Sequence, residues 1–183
     1  MTIDDAAILN ALRSPETMDR GFRMLLDQYG EKLYWHIRRI VIGHEDAEDA
    51  VQESVLLIYK NINRFEGEAC QLMPWIYKIA TNEALRLLRS HTRLFRSIDS
   101  LQSELTERLV TESDVDIDRA EFLLQAALLA LPTQQRIVFN MRYYDGMSYE
   151  DIALVTGKRV GTLKVNYHYA RNKIEEYLTK HTP

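Results

Sequence analysis

Ser148-Tyr-Glu-Asp-Ile-Ala-Leu-Val-Thr-Gly157 and, two residues on, Val160-Gly-Thr-Leu-Lys-Val-Asn-Tyr-His-Tyr-Ala-Arg171 read as two helices about a glycine turn. Ser148 is a good N-cap, with Asp151 three residues later. Ala153 is small where two helices must approach closely, and Gly157 can take the positive φ of a tight interhelical turn. On the second helix Val160, Leu163, Tyr167, Ala170 and Ile174 recur at steps of three and four, which marks a buried stripe. The spacing is that of a helix-turn-helix.

The opposite face holds Gly161, Thr162, Val165, His168, Tyr169 and Asn172, flanked by Lys164, Arg171 and Lys173. Such a face suits the DNA major groove: long cations hold phosphates while shorter side chains meet base edges. Val165 offers an apolar contact for a thymine methyl. The candidate DNA contacts are Lys158, Arg159, Thr162, Lys164, Val165, Asn166, His168, Tyr169, Arg171 and Lys173. A solvated basic helix in a bundle would explain the charge alone; the alanine, the glycine and the stripe together favour DNA.

Working outward, Ala120 to Leu131 is strongly apolar and Pro132-Thr133 opens a helix over 134–144, with Asp145-Gly146 as a turn. Residues 97–117 are rich in Ser, Thr, Asp and Glu with weak periodicity, and read as a flexible linker with transient helix near 101–109. Towards the N-terminus the spacing predicts helices over 4–12, 17–29, 33–43, 44–62 and 74–93, with Gly30 separating the second from the third. The 44–62 helix has a stripe of Ala47, Ala50, Val51, Val55, Ile58 and Ile62, and acids crowd its first turns, where they favour the helix dipole. The fold class is therefore all-α, as two small domains: an N-terminal helical bundle over 1–96 and a helix-turn-helix domain over 118–183, joined by the acidic linker.

Glycine (7) and proline (4) are scarce, which agrees with helices rather than turn-rich sheets. No apolar run reaches the length of a membrane span, and the N-terminus lacks the order of a secretory signal. A single Cys70 cannot form an internal disulfide, which suits a reducing cytoplasm. The expected protein is cytoplasmic, without membrane insertion. Its net charge of −4 conceals a strong asymmetry. Residues 97–121 hold eight acids against Arg108 and Arg119, so that stretch carries −6 and the remainder +2. Residues 85–96 hold four arginines and no acid; residues 158–173 hold five lysines or arginines and no acid. Two basic surfaces joined by an acidic connector are the pattern of a nucleic-acid binder.

Two separate blocks resemble one known family, the extracytoplasmic-function (ECF) sigma factors of the sigma-70 family. Leu131-Pro-Thr-Gln-Gln-Arg-Ile-Val-Phe139, the Ser148 to Ala153 run and Val160-Gly-Thr-Leu-Lys164 resemble its promoter −35-binding domain (region 4). Asp46-Ala-Glu-Asp-Ala-Val-Gln-Glu-Ser-Val55, Arg64-Phe-Glu-Gly-Glu68 and Pro74-Trp-Ile-Tyr-Lys-Ile-Ala-Thr-Asn-Glu-Ala84 resemble its region 2. The resemblance implies a subunit that binds core RNA polymerase and promoter DNA, with an anti-sigma factor as a partner implied by family alone. Asp46, Asp49, Gln52 and Glu53 are implied to dock on the polymerase; a solvated helix N-terminus would look the same. Asn61, Arg64, Phe65, Lys78, Asn82, Arg86 and Arg89 are implied to contact and melt the −10 element. Phe65, Trp75 and Tyr77 taken singly are better explained as core than as base platforms. Many relatives carry serine and arginine where this chain has Val165, Asn166 and Tyr169, so no −35 sequence preference carries over.

Three other readings stay open at this stage. A stand-alone helix-turn-helix regulator would leave the N-terminal block without a role. A helical adaptor would not depend on Lys164 or Arg171. An enzyme has least support: the histidines are scattered, with no carboxylate or cysteine at ligand spacing, no phosphate-cradling glycine loop and no nucleophile motif. No cofactor and no catalytic residue is expected.

Overall fold

Asp4 begins the first helix by accepting a hydrogen bond from Ala6 N at 3.2 Å, and the chain then builds only helices among the described residues. The computed structural model describes residues 4–94 and 119–181. The elements are α1 (Asp5–Arg13), α2 (Met18–Val41), α3 (His44–Asn61), two 3-10 turns (Ile62–Arg64 and Ala69–Gln71), α4 (Leu72–Leu94), α5 (Arg119–Leu129), α6 (Thr133–Tyr143), α7 (Tyr149–Thr156) and α8 (Val160–His181). The expected linker, with its helix near 101–109, lies outside the described residues.

One boundary differs from the sequence reading. Gly30 does not divide two helices: α2 runs through it for 24 residues. Leu25, Tyr29, Leu33, Ile37 and Ile40 keep one buried stripe on both sides of it. A glycine inside a helix costs about 1 kcal/mol against alanine, less than the burial of two such flanking turns supplies. Gly21, by contrast, is needed for packing. A Cβ there would lie 2.7 Å from Leu12 N and 2.8 Å from Ala11 C, so only glycine lets α1 settle on α2. The stripe of α3 is also sharper than expected: Ala47, Ala50, Ser54 and Ile58 are buried, while Val51 and Val55 are partly exposed.

α2 ends in a strained corner. Ile42 has φ +69° and ψ −46°, and Gly43 N donates to Val41 O at 2.9 Å, which closes a γ-turn with a β-branched residue at its centre. Such a conformation persists where surroundings dictate it, and Ile42 is buried.

α1 to α4 form the N-terminal bundle, and α5 to α8 form the C-terminal unit. The C-terminal unit has a small core of its own from Ala127, Leu128, Leu131, Phe139, Ala170 and Ile174. The larger core crosses between the halves: Ile37, Ile76, Ala80 and Ala84 join one cluster with Ile137, Met141, Met147, Ile152, Val155 and Leu163. α7 packs on α4 and α6 on α2, so the two halves share a face.

Candidate nucleic-acid and docking surfaces

The helix-turn-helix forms from the residues that signalled it. Ser148 Oγ accepts from Asp151 N at 3.0 Å and caps α7, whose first turn carries Glu150 and Asp151. Gly157 ends α7 at φ +69°, with its N–H on Ala153 O at 2.8 Å. Arg142 Nη1 donates to Met147 O at 2.6 Å and pins the turn that precedes α7. Behind α8, Tyr167 stacks on Phe139 at 5.6 Å between ring centres, and Leu163, Ala170 and Ile174 are buried. α8 is thus braced along one side.

The other side is open. Arg159, Thr162, Lys164, Val165, His168, Tyr169, Arg171 and Lys173 are exposed, and Lys158 and Asn166 partly so. Val165 is 52% and Tyr169 54% exposed, large side chains that stand out towards solvent on this face. Several polar members are loosely tethered: Arg171 to Glu175 at 2.8 Å, Lys173 to Gln135 at 3.3 Å, and His168 to Asn172 at 3.2 Å. Exposed pairs of this kind are worth little and can exchange for a phosphate.

In the N-terminal half, Lys78, Asn82, Arg86 and Arg89 lie exposed along α4. Arg86 Nε pairs with Glu83 at 2.7 Å, and Arg89 Nε folds onto Leu85 O at 3.2 Å. Arg64 is exposed at the end of the first 3-10 turn. Two expected members of this surface point elsewhere. Asn61 Nδ2 donates to Leu57 O at 2.8 Å and so serves the end of α3. Phe65 is half-buried, its ring 5.1 Å from Trp75 and folded over Gly67, where a Cβ would come within 2.5 Å of it. Arg13 Nη2 holds the same loop by donating to Gly67 O at 3.0 Å. Tyr77 is buried, as read from the sequence; desolvation, with a further contribution from Asp145, pushes its phenol well above the ordinary range.

On α3, Asp49, Gln52 and Glu53 are exposed on one face and Asp46 is half-buried at its start. The sequence reading missed Leu56, 49% exposed and one turn further along the same face. The step of seven from Asp49 was the available signal. It also missed the joint between the halves. His36 has no carboxylate at ligand spacing in the sequence, yet its Nδ1 lies 2.7 Å from Asp145 Oδ2, and Arg39 Nη2 is 2.6 Å from Asp145 Oδ1. Arg136 is buried there as well, and desolvation pushes its guanidinium down to about 10.

Among the described residues no helix is long and apolar enough to cross a membrane, and no group of three His, Cys, Asp or Glu residues could hold a metal ion.

Comparison with known proteins follows the two halves. The sequence profile "Sigma-70 region 2" matches residues 25–94, and "Sigma-70, region 4" matches residues 121–174. The chain is 30% identical over 165 residues to the ECF RNA polymerase sigma-E factor of Haemophilus influenzae, covering 85% of this chain and 86% of that one. It is 27% identical over 165 residues to the ECF RNA polymerase sigma factor SigE of Mycolicibacterium smegmatis, covering 86% of this chain and 62% of that longer relative. Among solved structures, CnrH in complex with the cytosolic domain of CnrY superposes with a TM-score of 0.71 over 98% of this chain and 99% of that one, at 22% identity. The sigma factor RpoE in complex with the anti-sigma factor NepR from Bartonella quintana does so with a TM-score of 0.68 over 90% of this chain and 99% of that one, at 26% identity.

Proposed function

This chain belongs to the ECF sigma factors of the sigma-70 family, and from that premise we propose that it binds core RNA polymerase and directs it to promoters by holding two DNA elements. The mechanism is binding, melting and handover, with no covalent step. The observation that carries the reading is the pairing of two unlike surfaces in one chain. α8 offers an exposed basic and apolar face beyond a glycine turn, and α3 offers an exposed acidic face. A lone DNA-binding regulator needs only the first.

In this reading Asp46, Asp49, Gln52 and Glu53, extended by Leu56, dock on a basic surface of the polymerase. Lys78, Asn82, Arg86 and Arg89 track the −10 strand, with Arg64 beside them. Phe65 packs partly on Trp75, so to offer a whole ring face to an unpaired base the loop over 65–71 would rearrange. α8 enters the major groove at the −35 element. The N-terminal unit spans 1–96, the connector 97–117 and the C-terminal unit 118–183. Work on polymerase places the protein in the cytoplasm, and the anti-sigma factor bound to the Bartonella quintana protein makes a sequestering partner the expected regulator here.

The test separates the surfaces. Asp49→Lys with Glu53→Lys should abolish co-purification with core polymerase while helix content stays unchanged. Lys164→Ala with Arg171→Ala should leave polymerase binding intact and remove promoter-specific output. An adaptor without a DNA role predicts no effect of the second pair.

A further inference from the structure

The loop between α3 and α4 is closed at both ends by its own hydrogen bonds. Phe65 N donates to Ile62 O at 3.0 Å, and Gln71 N donates to Glu68 O at 2.9 Å. Gln71 Oε1 accepts in return from Glu68 N at 3.1 Å. Glu66 and Gly67 lie between these two closures, and Gly67 is held from outside the loop. Arg13 Nη2, 54 residues back in the chain, donates to Gly67 O at 3.0 Å. The Phe65 ring lies against the same glycine. A Cβ at Gly67 would come within 2.5 Å of Phe65 Cζ and 2.7 Å of Phe65 Cε2. On its other side the ring centre stands 5.1 Å from that of Trp75, at an angle of 44°. Phe65 is thus kept between Trp75 and the piece of backbone whose carbonyl Arg13 takes.

The donor is mounted on a fixed support. α1 buries Ile8, Leu9 and Leu12, and its approach to α2 at Gly21 leaves no room for a methyl group. The Tyr29 hydroxyl donates to Asp5 at one end of α1, and Thr17 Oγ1 donates to Ala11 O at 2.8 Å near the other. Arg13 is the last residue of this helix and is exposed. A cation there suits the C-terminal end of the helix dipole. That role calls for no partner in a distant loop, so it does not account for the bond to Gly67.

We propose that Arg13 is a positioning residue: by holding Gly67 O it keeps Phe65 between Trp75 and Gly67, and capture of an unpaired base must first break that hold. The proposal rests on the reading of this loop as the part that meets the −10 strand. A binding-competent state that is only fractionally populated lowers apparent affinity by that fraction. Arg13 therefore weakens binding of the unpaired strand, whereas a cation that simply met a phosphate would strengthen it. The two roles differ in sign. One hydrogen bond of this kind changes such a population by about two- to tenfold.

Trp75 reports the loop directly. The chain has two tryptophans, so Trp35→Phe leaves Trp75 as the single emitter. Acrylamide quenching of Trp75 in the free protein measures its cover, with Phe65→Ala as the uncovered reference. Arg13→Ala should move the quenching towards that reference. Arg13→Lys, which keeps a charged donor, should restore most of the wild-type value. Holoenzyme made from core polymerase and Arg13→Ala should also bind a single strand spanning the −10 element of a promoter mapped by run-off transcription. That binding should be about two- to tenfold tighter than with the wild-type chain, and Arg13→Lys should fall between. Quenching of Arg13→Ala equal to wild type would overturn the proposal, and so would unchanged or weaker strand binding with helix content intact. If the wild-type holoenzyme does not bind the strand and Phe65→Ala changes nothing, the −10 reading falls; quenching then still decides whether Arg13 holds Phe65.

Discussion

Val165 and Tyr169 are the exposed large hydrophobic side chains of α8 among the described residues, at 52% and 54%. An apolar side chain at a base edge can gain from the thymine methyl and nothing from guanine, where Arg or Lys would make paired hydrogen bonds. The promoters used by this protein should therefore carry thymine where Val165 sits. Replacing that thymine by deoxyuridine removes one methyl and should weaken −35 binding severalfold, about 1 kcal/mol. Val165→Ala should cause a similar loss, and the two changes together little more than either. Independent, additive losses would remove Val165 from the base edge. The exposure of this residue on α8 was legible from its helical position alone. Asp145 was not: it reads as an ordinary turn residue, and its partners His36 and Arg39 lie more than a hundred residues away. Pattern over short windows does not contain such a pair.

At the scale of elements, helices with caps and stripes were readable because each signal is local. Asp4, Ser148 and Gly157 do what their residue types favour, and α7 and α8 begin where the sequence placed them to within a residue. Gly30 misled because a glycine is a helix breaker only when flanking turns lack a reason to stay helical. Here the stripe from Leu25 to Ile40 supplies that reason. Two glycines of α2 consequently predict opposite outcomes. Gly30→Ala has open space for its Cβ and should stabilise the protein by about 0.5–1 kcal/mol. Gly21→Ala would drive its Cβ into the backbone of α1 and should destabilise by about 1–3 kcal/mol. Denaturant unfolding of the two variants checks both signs. The loop proposed to meet the −10 element is the intermediate case: its place was legible from Gly67 and Pro74. The folding of Phe65 onto Trp75 depends on tertiary packing and was not.

For the whole molecule, the charge distribution carried most of what the sequence could say. A net charge of −4 would argue against DNA, but two basic stretches flank an acidic connector. What sequence could not supply is that both halves contribute to one core, since α4 and α7 meet through side chains that each helix would bury equally well against other neighbours. The account makes this chain a two-site subunit that acts through polymerase rather than on DNA alone. Run-off transcription with core polymerase on genomic promoter fragments, with and without the protein, tests that most directly. Discrete start sites that appear only with the protein, and that vanish with Asp49→Lys and Glu53→Lys, are the predicted result. Promoter binding by the protein that needs no polymerase, or start sites that do not depend on the protein at all, would contradict it.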